Sequence, residues 1–164
     1  MSKPFLLERI GGDAALQQAV EAFYERVTAD KNLEKFFEGA DIHKLKKHQY
    51  RFLRMAFTKV PTLVNVPKMM KEKHAKLFAM GLNETHFDLV AGHLVGALKS
   101  LGVADELINE AFGTISPLRV IFEEEGAKAR QDGGPTKGNS PALVIALVVG
   151  LPVLIGLAVR LFIK

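Results

Sequence analysis

The stretch Phe87-Asp-Leu-Val-Ala-Gly-His-Leu-Val-Gly-Ala-Leu-Lys-Ser-Leu101 decides the fold class. Its apolar residues Phe87, Val90 with Ala91, Leu94, Leu98 and Leu101 recur at the spacing of a helix with one buried stripe. The same period runs through Leu16, Val20, Phe23 and Val27, and through Leu45, Phe52 with Leu53, and Ala56. A fourth stripe joins Leu107 with Ile108, Ala111, Ile115, Leu118 and Phe122. No useful length alternates apolar with polar at every second position, as a half-buried strand would. The chain is therefore read as all-α, with four main helices over residues 1–125.

The punctuation agrees. Gly11-Gly12-Asp13 stands where the first long helix begins, Asp41 precedes the second, and Gly81 followed by Asn83 precedes the third. Gly102 separates the third from the fourth. Pro117 predicts a kink, because it removes one backbone hydrogen bond. Between Thr58 and Met69, Val60-Pro61 and Val66-Pro67 push the residue before each proline away from helical angles. This segment reads as an ordered loop leading into a short helix that carries His74.

Beyond the helices the composition changes twice. Residues 126–140, Gly-Ala-Lys-Ala-Arg-Gln-Asp-Gly-Gly-Pro-Thr-Lys-Gly-Asn-Ser, are rich in glycine and charge and predict a flexible linker. Pro141 to Val159 then runs without a single charge and is followed by Arg160 and Lys164. As a helix this run is roughly 28 Å long, close to the hydrocarbon thickness of a bilayer. Pro152 would break a helix in water but is tolerated in a spanning one. Residues 141–163 are accordingly expected to form a transmembrane tail anchor. The N-terminus has no apolar run of signal-peptide length, so the helical domain is expected on the cytoplasmic or stromal side.

The 164 residues contain no cysteine, which excludes disulfides, thiolate zinc sites and cysteine nucleophiles. The 22 Lys and Arg, two of them in the C-terminal run, barely outnumber the 18 Asp and Glu. That balance does not suit nucleic acid. Basic residues are nonetheless concentrated locally, with ten between positions 43 and 76 against one acid, Glu72. Such a belt can be a plain solvated face, can neutralise two carboxylates of a ligand, or can lie against anionic lipid headgroups.

His74 sits among charged residues, while His48-Gln49 lies beside Leu45 and Phe52. Tyr24 follows Phe23 on the first long helix. Two histidines on different helices, without a carboxylate cluster, make a poor zinc or non-haem iron site. Facing one another across a flat apolar slot they suit haem iron, whose other four ligands belong to the porphyrin. Phe36, Phe37, Phe52, Phe57, Phe78 and Phe87 can line such a slot or can simply be core. Without a cofactor, the same residues would make a helical adaptor held at a membrane.

The order of the segments carries a resemblance. Leu7-Glu-Arg-Ile-Gly-Gly, Phe23-Tyr24-Glu-Arg-Val, Leu33-Glu-Lys-Phe-Phe-Glu-Gly-Ala-Asp and Leu45-Lys-Lys-His-Gln are followed by the His74 segment. His86-Phe-Asp-Leu-Val-Ala-Gly-His-Leu, Gly102-Val-Ala-Asp-Glu-Leu-Ile and Ser116-Pro-Leu-Arg complete the series. Over about residues 6–122 the chain resembles group I truncated haemoglobins, the two-over-two globins. The resemblance implies a two-over-two helical sandwich holding haem b, iron protoporphyrin. It implies His74 as the proximal iron ligand, Tyr24 as the main distal hydrogen-bond donor and Gln49 as its partner. Phe37 or Phe36 packs on the porphyrin face, Leu45 occupies a position of glutamine or leucine, and His48 falls where some members bind the iron. With Phe52, Phe57 and Phe87 these residues form the expected pocket. The implied ligands are O2, NO and CO, and the implied chemistry is gas binding, with nitrate formation from nitric oxide and an electron-donating reductase. Bis-histidine electron transfer, redox or gas sensing, and plain O2 binding stand as alternatives. One departure is evident: Phe57-Thr-Lys-Val-Pro replaces the Gly-Gly pair usual after the second long helix.

Overall fold

The computed structural model describes residues 3–132, and every regular element among them is helical. In order these are α1 (Leu6–Arg9), α2 (Gly12–Ala29), α3 (Glu34–Phe37), α4 (Ile42–Ala56) and α5 (Val66–Ala79). Then come α6 (Glu84–Ser100), α7 (Asp105–Ile115), a 3₁₀ turn (Ser116–Leu118) and α8 (Arg119–Gln131).

The stripes on α2 and α6 are largely buried, though Leu101 of the latter is exposed and Leu45, Phe52 and Ala56 on α4 are half-buried. On α2, Leu16, Val20, Phe23 and Val27 are all in the core, joined by Ala19 and Tyr24. On α6, Phe87, Ala91, Leu94 and Leu98 are buried with Ala97. α2 lies against α4 on one side and α6 on the other, while α6 also meets α7 and α8. The result is an all-α helical sandwich with its core between α2 and α6. α5 stands apart from this pair and rests on α8.

Caps set the helix limits. Gly11 precedes α2 at φ 111°, a left-handed angle, and a β-carbon there would come within 2.8 Å of Ala15 Cβ. Asp41 accepts a hydrogen bond from Lys44 N at 3.0 Å and starts α4. Asn83 accepts from Thr85 N at 3.0 Å, while its own N–H donates to His86 Nδ1 at 3.2 Å. That reciprocal pair is a capping box with histidine at its third position. Pro117 ends α7 and begins a 3₁₀ turn, which is the expected break.

The helix carrying His74 is longer than its proline suggested. Pro67 sits in the first turn of α5, where a missing N–H costs no intrahelical bond. Asn65 accepts from Lys68 N at 2.9 Å, so the helix begins at Val66 and runs for 14 residues. The expected linker also begins too early. α8 continues through Gln131, and Gly126 is buried. A β-carbon at Gly126 would lie 2.7 Å from Asn83 Cβ, so this glycine is there for close packing, not for flexibility. The expected spanning segment, residues 141–163, lies outside the described residues; among those described, no helix is long and apolar enough to cross a membrane.

Candidate functional site

A cavity of about 220 Å³ opens between α4 and α5, with α2, α6 and α8 closing its base. Its walls are apolar and largely aromatic, and Tyr24, His48, Gln49, Lys73, His74 and His86 supply the polar groups. Tyr24, Phe36, Phe37, Leu45, His48, Gln49, Phe52, His74 and Phe87 all line this one space. Residues spread over five helices are thus brought together as expected.

Two of the candidate lining residues, Phe57 and Phe78, are absent from it. Phe57 is 2% exposed, but it belongs to the core and not to the cavity wall. It caps the C-terminus of α4, and its carbonyl accepts from Leu7 N at 3.0 Å, which ties it to α1. The α4 stripe rotates away from the cavity before the chain reaches it. Phe78 likewise packs behind the cavity, with its ring 5.5 Å from that of Phe122.

His74 is prepared as a ligand by its own helix. Its Nδ1 lies 2.9 Å from the carbonyl oxygen of Met70, one turn earlier. A carbonyl only accepts, so Nδ1 carries the proton and the lone pair of a neutral ring falls on Nε2. Burial holds the imidazole below its ordinary pKa, against a smaller opposing effect of the Met70 carbonyl, so the neutral form prevails near pH 7. Phe122, at 5.4 Å between ring centres, fixes the ring from behind.

The opposite wall is built by α2 and α4. Tyr24 is 5% exposed, and burial pushes its phenol well above the ordinary value, so it remains a donor. Phe23 at 5.1 Å and Phe37 at 6.3 Å meet its ring edge to face. Among the described residues the Tyr24 hydroxyl has no hydrogen-bond partner, and none joins it to Gln49. His48 Nδ1 is buried and also without a partner. Desolvation first, then the charges of Arg51, Lys44 and Lys73, hold His48 neutral. Unpartnered polar atoms in an apolar cavity are costly unless a ligand meets them.

Several wall residues were not singled out from sequence. His86 takes part in the cap at the start of α6, yet its ring also lines the cavity, edge-on to Phe36 at 4.9 Å. Met69, Met70, Lys73 and Leu77 follow from the longer α5. Met70 and Leu77, four residues before and three after His74, share its helix face, a signal hidden by reading Pro67 as a breaker.

Comparison with known proteins decides what this cavity is. Residues 5–123 match the bacterial-like globin family. The chain is 41% identical over 113 residues to the group 1 truncated hemoglobin GlbN of Mycolicibacterium paratuberculosis, covering 69% of this chain and 79% of that one. This chain is a group 1 truncated haemoglobin. A crystal structure of THB4 from Chlamydomonas reinhardtii, 43% identical, superposes with a TM-score of 0.64 and covers 73% of this chain and 95% of its own. The 2/2 hemoglobin of Synechococcus, solved in the cyanomet state with covalently attached heme, is 34% identical with a TM-score of 0.67, covering 74% and 99%.

Globins of this family bind haem b, and their chemistry is haem-based binding of diatomic gases. The residues of this globin fit that group. A neutral imidazole protonated on Nδ1, the unpartnered His48 Nδ1, the Tyr24 hydroxyl and a set of aromatic rings line one apolar cavity. Among the described residues no three metal-ligating side chains cluster, so an iron here would rely on a macrocycle for most of its ligands.

Proposed function

We propose that this globin binds O2 and nitric oxide on haem b and converts nitric oxide to nitrate, with re-reduction by an electron-donating reductase. When bound, ferrous haem supplies one electron to the pair NO plus O2, yielding nitrate and ferric haem. His74 would hold the cofactor through Nε2, while Met70 keeps the other ring nitrogen protonated. Lys73, with Lys44 and Arg51 beside His48, would meet the propionates. Phe36, Phe37, Phe52 and Phe87 exclude water and hold the ring plane. Tyr24 would donate its hydroxyl proton to the ligand, with Gln49 on the same wall.

The observation that carries this reading is Tyr24, 5% exposed and lining the same cavity as the His74 imidazole, with a hydroxyl that makes no hydrogen bond among the described residues. A hydrogen bond to a ligand with charge character contributes about 1.5–3 kcal/mol. Tyr24→Phe should therefore speed O2 release about tenfold or more. An unchanged rate removes Tyr24 from the distal role. His74→Ala should lose the pigment or change its spectrum.

The unpartnered His48 Nδ1 favours a second reading, a bis-histidine electron-transfer or gas-sensing globin. A low-spin spectrum of the ferrous, ligand-free protein that turns high-spin in His48→Ala supports it. A high-spin spectrum of the unmutated protein rejects it. The charge-free run Pro141–Val159 supports a tail anchor, with the globin domain on the cytoplasmic or stromal side. Release of the full chain from membranes by alkaline carbonate would remove that anchor.

A further inference from the structure

The loop between α4 and α5 is a built projection. Thr58 Oγ1 donates to the carbonyl of Arg54 at 2.8 Å, and Asn65 caps α5 at the other end. Between these anchors Val64 N donates to the carbonyl of Pro61 at 2.9 Å, closing a turn with Thr62 and Leu63 at its corner. The turn holds Leu63 81% exposed, with Val60 at 39% on the same loop. Leu63 is by far the most exposed of the large apolar residues described. An ordered turn that presents leucine to water gains nothing within the domain.

The chain on either side of this apolar tip is cationic. No acidic residue occurs between Asp41 and Glu72, while Lys59 within the loop and Arg54 and Lys68 on its flanks are exposed. Arg54 is paired with Asp13 and Lys68 loosely with Glu72, but Lys59 makes no ion pair among the described residues. Apolar tip and basic collar together match an anionic bilayer surface, where the side chain enters the interface and the cations meet headgroups. An acidic protein would use the collar and leave the leucine unexplained.

We infer that the Thr58–Asn65 loop is a second, reversible membrane contact that docks the globin domain on anionic phospholipid. The inference rests on the tail-anchor reading for its setting. Residues 133–140 number eight, so at most about 28 Å of chain can lie between the described domain and Pro141. Met69, Met70 and Lys73 follow the loop directly on α5 and line the cavity, so docking turns the cavity mouth towards lipid. Apolar gases partition into lipid, which gives the orientation a use.

The test uses residues 1–132, which lack the apolar run; this domain folds by itself, because solved relatives are matched over 95–99% of chains of this length. Binding is read by co-sedimentation with vesicles of phosphatidylcholine, with or without about 30% phosphatidylserine. The domain should bind only the anionic vesicles and be released by high salt. Leu63→Asp should weaken binding about tenfold. Leu63→Trp should bind as well as the parent, and the introduced indole, the sole tryptophan of the chain, should be quenched by brominated acyl chains. Equal binding by Leu63→Asp, absence of bromine quenching, or a preference for soluble polyglutamate over vesicles would each overturn the inference. Because this domain has no anchor, a failed tail leaves these results standing, and a failed loop leaves carbonate extraction of the full chain unaffected.

Discussion

The α2–α6 pair and the α4–α5 pair solve opposite problems. α2 buries six residues, from Leu16 to Val27, and α6 buries five. α4 and α5 bury one each, Leu53 and Phe78. The first pair is covered mostly by protein, and only one edge of it, with Phe23, Tyr24, Phe87 and Leu94, borders the cavity. The second is a clamp whose inner faces, including Leu45, Phe52, Met70 and Leu77, are only half-buried because the cavity lies between them. A helix period therefore marks apolar faces without saying whether protein or ligand covers them.

The largest break in this contrast should come from the core. Leu16→Ala, at a fully buried site, is expected to cost about 2–5 kcal/mol in urea unfolding of the haem-free domain. Leu45→Ala, on the cavity wall, should cost under about 1 kcal/mol in the same assay, since its neighbours already border a void. Equal losses would dissolve the distinction.

Next in size is the effect of the cofactor. Haem at a hundred times its dissociation constant should stabilise the fold by about 2.7 kcal/mol. Hydrogen exchange should slow most in α4 and α5 and least in α2 and α6. Uniform slowing would mean that the clamp is no looser than the core.

A smaller effect follows from acid. Burial lowers the pKa of His48, His74 and His86 below the ordinary 6.5. Between the lowered value and 6.5 the unfolded chain binds more protons than the folded one, so stability falls as pH drops below about 6.5. Each group contributes at most about 1.4 kcal/mol per pH unit. Urea midpoints of the haem-free domain at pH 7 and pH 5 measure the sum, and His86→Gln should flatten the slope. Smallest is the cap of the clamp: Asn65→Ala should cost about 1 kcal/mol and appear as faster haem loss more than as altered global unfolding.

Legibility followed the same divide. The stripes of α2 and α6 were plain because each apolar residue packs on another, and Asp41, Gly102 and Pro117 marked real boundaries. Phe57 was misplaced because aromatic character alone does not separate a cavity wall from the core one turn further along α4. α5 was underestimated because a proline after valine reads as a break unless Asn65 is recognised as the cap that makes it a first-turn residue. His86 was overlooked because one ring does two tasks, capping α6 through Nδ1 and lining the cavity. The linker boundary failed at Gly126, where small size serves contact instead of looseness.

The contact at Gly126 also makes a mechanical joint between the last turns of α8 and the start of α6. Any pull along the chain beyond Gln131 loads the last turns of α8, which lean on Asn83 at the start of α6, with Arg130 3.6 Å from Glu84. The strain would be borne in shear at this joint before it reached Phe122 and the imidazole it supports. Force applied at the end of α8 is thus spent on that joint before it can disturb the ring that backs the proximal imidazole.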